Sequence, residues 1–218
     1  MGRALWRVGR AGTSSRAFVG SAHDTICATV ISESILQGEK VRLRPVEEND
    51  LPHFVGWLAD REVTRWLAAM GDPPTLDDEY EWYERRRSDP DSVMWSIETV
   101  EGRLAGNVEL RLSAQPRRAE IGIAIHDKTL WGQGLGTDAV RLVLAYAFEE
   151  LELNRVELTT DEANERAIRC YEKCGFVREG LLRQHRFIDG QFGNTLMMSV
   201  LREEWAKSQP RAAVRRAV

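Results

Sequence analysis

Apolar and polar residues alternate at every second position in several short segments of the chain. The pattern begins at Val41 to Pro45, where valine and leucine fall on one side of the segment and arginine on the other. It returns over 93–100, 104–112 and 118–125. Because successive side chains of a β-strand point to opposite faces, each segment is predicted to form a half-buried strand. The last three are predicted to form an antiparallel meander.

Helical signals occupy the segments between these strands. Asp50 and Pro52 supply a cap and an early proline, both favoured where a helix begins. Arginines near position 87 suit the negative end of another helix. The predicted helices are 51–58, 62–68, one from Thr75 to about Arg87, 138–151 and 165–174.

The chain continues to a further strand and a hairpin. Arg155 to Thr159 alternates as a strand does, and two longer segments, 176–188 and 192–201, flank an Asp189-Gly190 pair suited to a tight turn. No internal repeat is present. The order of strand, helices, three strands, helix, strand, helix and two strands predicts a mixed α/β (α+β) sheet.

Length and composition indicate the domain organisation. With 218 residues and 43% hydrophobic content, the chain is long enough for one core. We expect a poorly structured extension over 1–37, one domain over 38–205 and a basic tail over 206–218. The arginine- and serine-rich start is typical of a transit peptide or, alternatively, of an extended or misassigned start. No apolar run approaches the roughly 18 residues that span a bilayer, so we expect a soluble protein with no membrane partner.

Charge is distributed unevenly along the chain. Eight basic residues lie in 1–23 and 206–218, which contain no acid, so the remaining 22 basic residues face 34 acids. The middle of the chain is therefore near −12. This favours a cationic partner over nucleic acid, unless the acids only solvate surface helices.

Cysteine and histidine form no pattern of a redox or metal site. The three cysteines include no CxxC pair, and the four histidines are scattered singly. We therefore expect no disulfide framework, no metal and a reducing, cytoplasmic location. Cys170 and Cys174 are interpreted as small core residues. His126 and His185 are interpreted as surface histidines or, alternatively, as the lining of a substrate pocket.

Three glycines stand at alternate positions in Trp131-Gly132-Gln133-Gly134-Leu135-Gly136-Thr137, between a predicted strand and a predicted helix. Glycine lets a ligand approach the backbone, and the free N–H groups of a helix start attract anions. The loop is a candidate phosphate cradle, although glycines also mark ordinary turns. No lysine precedes Thr137, which disfavours a nucleoside triphosphate, and GxGxG is not the GxGxxG of dinucleotide sites. A phosphorylated carrier is therefore predicted.

Three motifs together resemble a known family: AEIGIAI (119–125), WGQGLGTDA (131–139) and NERAIRCYEKCGF (164–176). Over residues 40–205 the chain resembles the GNAT superfamily of acetyl-CoA-dependent N-acetyltransferases. It is most similar to the bacterial subgroup of ribosomal-protein alanine and spermidine acetyltransferases. The resemblance implies a mixed, mostly antiparallel central sheet flanked by helices, with a C-terminal β-hairpin.

The resemblance also implies where acetyl-CoA binds. The strand before the glycine loop pairs with the pantetheine arm, the loop holds the pyrophosphate, and Asn164 both caps its helix and touches the arm. Trp131 stands where the family commonly has arginine or glutamine, so the cradle relies more on backbone donors. The implied contacts are Ile123, Ala124, Ile125, Gly132, Gln133, Gly134, Leu135, Gly136, Thr137 and Asn164.

Two residues are candidates for proton transfer. Glu120 matches the glutamate base of histone-type relatives and is predicted to accept the amine proton through water. Alternatively it only orients the substrate, or pairs with Arg117 or Arg118. Tyr171 matches the general acid of the family, because a neutral phenol can protonate a departing thiolate. Alternatively it only packs on the inner face of its helix.

These roles imply direct transfer of an acetyl group from acetyl-CoA to a primary amine in a ternary complex. The acceptor is a polyamine or a protein N-terminus, and the subgroup also includes enzymes for antibiotic amines. A CoA- or polyamine-binding regulatory module with little turnover is the alternative, because a fold does not determine a function. The resemblance further implies a homodimer or a larger homo-oligomer.

Overall fold

The computed structural model of the protein describes residues 35–67, 72–113, 117–188 and 190–208. These residues form one sheet of eight strands. Its strands are β1 (Leu36–Gln37), β2 (Val41–Pro45), β3 (Ser92–Thr99), β4 (Leu104–Leu112), β5 (Arg118–Ile125), β6 (Arg155–Asp161), β7 (Val177–Ile188) and β8 (Gln191–Leu201). They lie side by side in the order β1-β2-β3-β4-β5-β6-β8-β7.

Helices cover both faces of this sheet. Single 3-10 turns stand at Glu48–Asp50 and Lys128–Leu130. None of the helices in the described ranges is long and apolar enough to cross a bilayer. The helices are α1 (Leu51–Leu58), α2 (Arg61–Thr64), α3 (Leu76–Arg87), α4 (Leu135–Ala145), which continues into a π turn (Tyr146–Glu150), α5 (Glu165–Lys173) and α6 (Arg202–Ser208).

The sheet opens where its two halves meet. Neighbouring strands are antiparallel except β5 and β6, which run parallel. Their pairing joins only Arg118–Glu120 to Arg155–Glu157. The rest of β5, from Ile121 to Ile125, is described in full and does not pair with β6. It therefore borders an open wedge that leads toward the glycine loop.

Two apolar cores hold the layers together. The larger core lies between the sheet and α4 and α5, and it buries Trp95, Leu144 and Phe148. The smaller core lies on the other face under α1 and α3, around Leu51 and Phe54. Burying a side chain of this size contributes about 1.5–3 kcal/mol. The cores therefore fix the helices on both faces and leave the edge of β5 as the opening.

Local signals begin and end the helices as the sequence predicts. Thr75 and Asp78 form a capping box, in which the hydroxyl of Thr75 accepts from the N–H of Asp78 at 3.2 Å and the carboxylate of Asp78 accepts from the N–H of Thr75 at 2.8 Å. Asn164 caps α5 by accepting from the N–H of Ala167 at 3.2 Å. Gly175, with a φ of 92°, ends that helix in the left-handed region.

The predicted order of elements and the mixed, mostly antiparallel sheet with its terminal hairpin are confirmed. The helix predicted from Asp138 begins three residues earlier. The helix predicted over 62–68 is the shorter α2, which ends at Thr64, and position 68 lies outside the described residues. No pattern predicted β1 or α6, because β1 has two residues and α6 buries only Trp205. The predictions for residues 1–34, for Asp189 and for the tail from 209 lie outside the described residues.

Candidate functional site

Backbone groups on the open edge of β5 face the wedge. The N–H of His126 donates to a carbonyl of β4 at 2.8 Å. Because backbone groups alternate in an antiparallel ladder, those of Ala124 also face β4, whereas those of Ile123 and Ile125 face the wedge. Both isoleucines are partly exposed. Ile123 and Ile125 can therefore pair with an extended ligand, while the backbone of Ala124 already belongs to the ladder between β4 and β5.

The glycine loop turns the chain into α4. Gly132 and Gly134 have φ angles of 77° and 86°, in the left-handed region that glycine adopts without strain. Gly134 is the N-cap residue of α4. The N–H groups of Leu135, Gly136 and Thr137 belong to the first helical turn, where the described residues offer them no acceptor. The donors predicted to hold a phosphate thus lie together at the open end of the wedge.

Two residues outside the predicted site hold this loop. The ammonium of Lys40 donates to the carbonyl of Gln133 at 2.8 Å. The carboxylate of Asp138 accepts from the backbone N–H groups of Lys40 at 2.7 Å and Val41 at 3.1 Å. The turn between β1 and β2 therefore clamps the loop. An acid in the first turn of a helix was the only local signal of this contact.

Trp131 lies at the start of the loop. Its indole N–H donates to the carbonyl of Ile125, the last residue of β5, at 2.6 Å. The guanidinium carbon of Arg166, near the start of α5, lies 3.6 Å from the centroid of the Trp131 ring. The carbonyl of Ile125 is therefore occupied, which leaves its N–H and both backbone groups of Ile123 facing the wedge.

Tyr171 lies on the inner face of α5 and is only 7% exposed. Its ring centroid is 5.7 Å from that of Phe176. The described residues place no hydrogen-bond partner on its hydroxyl. Burial raises the pKa of the Tyr171 phenol above its ordinary value. The phenol is therefore protonated at neutral pH, and its position is compatible with both packing and proton donation.

Glu120 is the last residue of β5 that pairs with β6, so it lies where the wedge closes. Its side chain is 43% exposed and its carboxylate lies 3.3 Å from the guanidinium of Arg111. Arg111 stands directly opposite on β4, which explains why the ion pair forms there and not with Arg117 or Arg118, the partners considered from the sequence. Arg118 instead pairs with Glu157 at 3.1 Å.

Cys170 and Cys174 pack beneath the first turn of α4. The sulfur of Cys170 lies 3.3 Å from the hydroxyl of Thr137, and the thiol of Cys174 donates to the carbonyl of Thr137 at 3.6 Å. Hydrogen bonding with Cys174 lowers the pKa of the Cys170 thiol. Within the described ranges no histidine or carboxylate bonds either thiol, and no group of acidic, cysteine and histidine side chains could hold a metal ion.

His126 is buried, so its interpretation as a surface histidine was wrong. Its side chain is 4% exposed, stacks on Trp57 with ring centroids 5.9 Å apart, and places Nε2 3.0 Å from the amide oxygen of Asn107. Burial lowers its pKa to about 4. The reason is that His126 directly follows β5, where α1 covers the sheet. His185, by contrast, is exposed on β7, 3.1 Å from the hydroxyl of Thr195.

Acidic side chains on the sheet face that carries Glu120 already have arginine partners. Glu109 lies 3.2 Å from Arg86 of α3. Glu157 lies 3.1 Å from Arg118 and 2.7 Å from Arg155. These carboxylates are therefore largely neutralised before any substrate binds. The excess of acids in the middle of the chain does not produce a bare acidic slot here.

The chain matches known proteins over most of its described length. A profile of the acetyltransferase (GNAT) domain matches residues 40–177. The putative ribosomal N-acetyltransferase YdaF of Bacillus subtilis is 30% identical over 174 residues, which cover 77% of this chain and 94% of that protein. Spermidine N(1)-acetyltransferase of Escherichia coli is 32% identical over 173 residues, covering 76% and 88%. The crystal structure of spermidine N-acetyltransferase from Vibrio cholerae in complex with CoA and spermine is 27% identical, with a TM-score of 0.70 and coverage of 76% and 98%.

Proposed function

The chain belongs to the GNAT family and is an acetyl-CoA-dependent N-acetyltransferase, and we propose that its acceptor is the α-amino group of a protein N-terminus. The family assignment confirms the resemblance carried by the three sequence motifs. The observation that carries the proposal is the pairing of Glu109, Glu120 and Glu157 with arginines. A polyamine brings several positive charges and needs unpaired carboxylates, whereas a protein N-terminus brings one amine on a neutral backbone.

The described residues fit acetyl-CoA, which supplies an acetyl group activated as a thioester. In this proposal the N–H groups of Leu135, Gly136 and Thr137 hold the pyrophosphate, as free donors at a helix start can. The open edge of β5 at Ile123 and Ile125 pairs with the pantetheine arm. Further proposed contacts are Gln133, Gly134 and Asn164, and the side-chain NH₂ of Asn164 is left over from capping. Ala124, expected from the sequence to contact the arm, is not among them, because its backbone faces β4.

Glu120 and Tyr171 move the protons in this proposal. Glu120 accepts, through water, the proton that the amine loses when its nitrogen bonds to the thioester carbon. Tyr171 gives its phenolic proton to the sulfur as the carbon–sulfur bond breaks. Transfer is direct in this proposal, with no acetyl-cysteine intermediate, because the sulfur of Cys170 is held against the hydroxyl of Thr137 beneath the first turn of α4.

The acceptor groove in this proposal lies between α2 and the hairpin of β7 and β8. The guanidinium of Arg186 donates to the carbonyl of Leu67, just beyond α2, at 2.7 Å and lies 3.6 Å from Asp161. The hairpin is thereby tied to the far side of the open face. Phe187 and Phe192 are exposed near its tip with ring centroids 4.8 Å apart. This aromatic pair gives the side chains of a peptide an apolar surface to contact.

A thiol-release assay with several amines tests the acceptor. Short peptides with free N-termini, spermidine and an aminoglycoside are compared at equal concentration, and mass spectrometry locates the acetyl group. We expect kcat/KM for the best peptide to exceed that for spermidine by about tenfold or more, a difference of roughly 1.4 kcal/mol. A peptide with a blocked N-terminus and a free lysine is the matched control and should not react.

Two results would contradict the proposal. Equal or faster turnover of spermidine would identify a polyamine as the acceptor. CoA binding without thiol release for any amine would instead favour a regulatory module.

A further inference from the structure

Trp131 is held at the mouth of the wedge by its own hydrogen bond. The indole N–H reaches the carbonyl of Ile125 at 2.6 Å, so one face of the ring is presented beside the glycine loop. The residue follows the turn Lys128–Leu130, whose backbone also receives the N–H of Trp131 at 3.2 Å. One hydrogen bond therefore holds the ring of Trp131, and another holds its backbone, before any ligand binds.

Arg166 covers that ring from the neighbouring helix. It is the second residue of α5, two positions after the N-cap residue Asn164. Its guanidinium carbon lies 3.6 Å from the ring centroid of Trp131. A guanidinium stacks on an indole through its flat face, which leaves its N–H groups free at the edge. The stack thus joins the two elements that border the phosphate cradle.

Arg166 differs from the paired arginines of the protein because it has no carboxylate partner among the described residues. Hydrogen bonds to Asp50 and to Glu179 raise the pKa of Arg44 and Arg155 respectively. Desolvation instead lowers the pKa of Arg166, and the charge of Glu62 offsets this only in part. Glu62 itself bonds the ammonium of Lys128 at 3.0 Å. A partly desolvated guanidinium with unused donors is a strong candidate to bind an anion.

We propose that Arg166, stacked on Trp131, is the cationic contact for a phosphate group of coenzyme A. The charge that the glycine loop lacks at position 131 is then supplied from α5. Trp131 acts as a positioning residue, because its ring fixes the plane of the guanidinium. The inference concerns the coenzyme end of the site and does not depend on which amine is the acceptor.

Titration calorimetry with CoA tests the contact without requiring turnover. Arg166→Ala is expected to weaken CoA binding by about tenfold to a hundredfold, as expected for the loss of charge-assisted hydrogen bonds. Arg169→Ala is the matched control. Arg169 lies on the same helix, and among the described residues it forms an ion pair only with Glu165, at 2.8 Å. Trp131→Phe should weaken binding less than Arg166→Ala does. Arg166→Lys should retain part of the affinity, because it keeps the charge but not the planar stack.

The same titrations with 3′-dephospho-CoA identify the phosphate. If Arg166→Ala lowers the affinity for CoA and for 3′-dephospho-CoA by the same factor, the contact is to the pyrophosphate. If the loss disappears for 3′-dephospho-CoA, the contact is to the 3′-phosphate. Equal CoA affinities for Arg166→Ala and Arg169→Ala would overturn the proposal. Absence of CoA binding by the unmodified protein would overturn it together with the assignment of the coenzyme, whereas a wrong acceptor would leave these titrations unchanged.

Discussion

The carboxylate of Asp138, in the first turn of α4, accepts a hydrogen bond from the backbone N–H of Lys40 at 2.7 Å. The ammonium of the same lysine bonds the carbonyl of Gln133 at 2.8 Å. The carboxylate of Asp138, together with the backbone N–H and the ammonium of Lys40, thus forms a clamp on the glycine loop. The glycine loop is held between β2 and α4 by this clamp as well as by its own turns.

Asp138→Ala is expected to lower the free energy of unfolding by about 1–2 kcal/mol, because two backbone donors lose a charged acceptor. It should also weaken CoA binding, since the loop loses its anchor. Chemical denaturation and calorimetry measure the two effects. Asp138→Asn keeps one acceptor oxygen, so its stability and CoA affinity should lie between those of the unmodified protein and those of Asp138→Ala. Unchanged stability in Asp138→Ala would show that the clamp contributes nothing.

Gly134 and Gly136 are expected to respond differently to alanine. Gly134 has a φ of 86°, and a Cβ there would lie 3.1 Å from the ammonium of Lys40. Gly134→Ala should therefore cost about 1–2 kcal/mol of stability and also weaken CoA binding. A Cβ on Gly136 would meet Cys170 and Ile125 at 3.7 Å, an ordinary contact. Gly136→Ala should keep the melting temperature while reducing CoA affinity. The prediction fails if both variants lose stability equally.

Much of the fold followed from alternation because burial follows it closely. In β2, the side chains of Val41 and Leu43 enter the larger core while those of Arg42 and Arg44 stay partly exposed, as a period of two requires. Capping residues at Thr75 and Asn164 marked helix starts for an equally local reason. The sequence did not predict β1, which has two residues, or α6, which has one buried side chain, because such elements show no hydrophobic periodicity.

The contacts of the candidate site that were missed join residues far apart in the sequence. Lys40 reaches Gln133 across 93 residues, and Trp131 meets Arg166 because the glycine loop leads into α4, which packs beside α5. The wedge depends on where the register between β5 and β6 ends, after Glu120. No single segment encodes that position. The glycine loop was predictable because its chemistry is contained within seven consecutive residues.

Tyr171→Phe tests proton donation with little change in packing. The described residues place no partner on the hydroxyl, so we expect a change in the free energy of unfolding below about 1 kcal/mol. The value of kcat should fall by roughly a hundredfold if the phenol protonates the leaving sulfur. Because burial raises the pKa of Tyr171, its titration should not limit kcat up to about pH 10. An unchanged kcat would leave packing as its role.

Glu120→Gln tests the proposed base. The rate should fall by about tenfold or more, and the pH–rate profile should change shape, because the amide cannot accept the proton. Arg111→Gln is the matched control, since it removes the same ion pair but leaves the carboxylate. If both variants behave alike, Glu120 acts only through the ion pair. An unchanged profile in Glu120→Gln would remove it from the mechanism.

His126 makes the stability of the protein depend on pH in a predictable direction. Its pKa is lowered from 6.5 to about 4 because the ring is buried against Phe54 and Trp57. Between these values the unfolded chain binds a proton that the folded chain does not, so unfolding becomes more favourable as the pH falls from 6.5 to 4. At pH 5 this difference corresponds to about 2 kcal/mol.

His126→Gln should flatten the decline in stability between pH 6.5 and pH 4, because glutamine does not titrate yet still offers an amide to Asn107. Urea denaturation at several pH values measures the slope. His185→Gln is the control: that histidine is exposed on β7, and its variant should keep the slope of the unmodified protein. Because His126 directly follows the wedge edge at Ile125 and packs on Phe54 and Trp57, its protonation would also loosen the contact between α1 and the end of β5. An unchanged slope in His126→Gln would mean that another group controls the acid sensitivity.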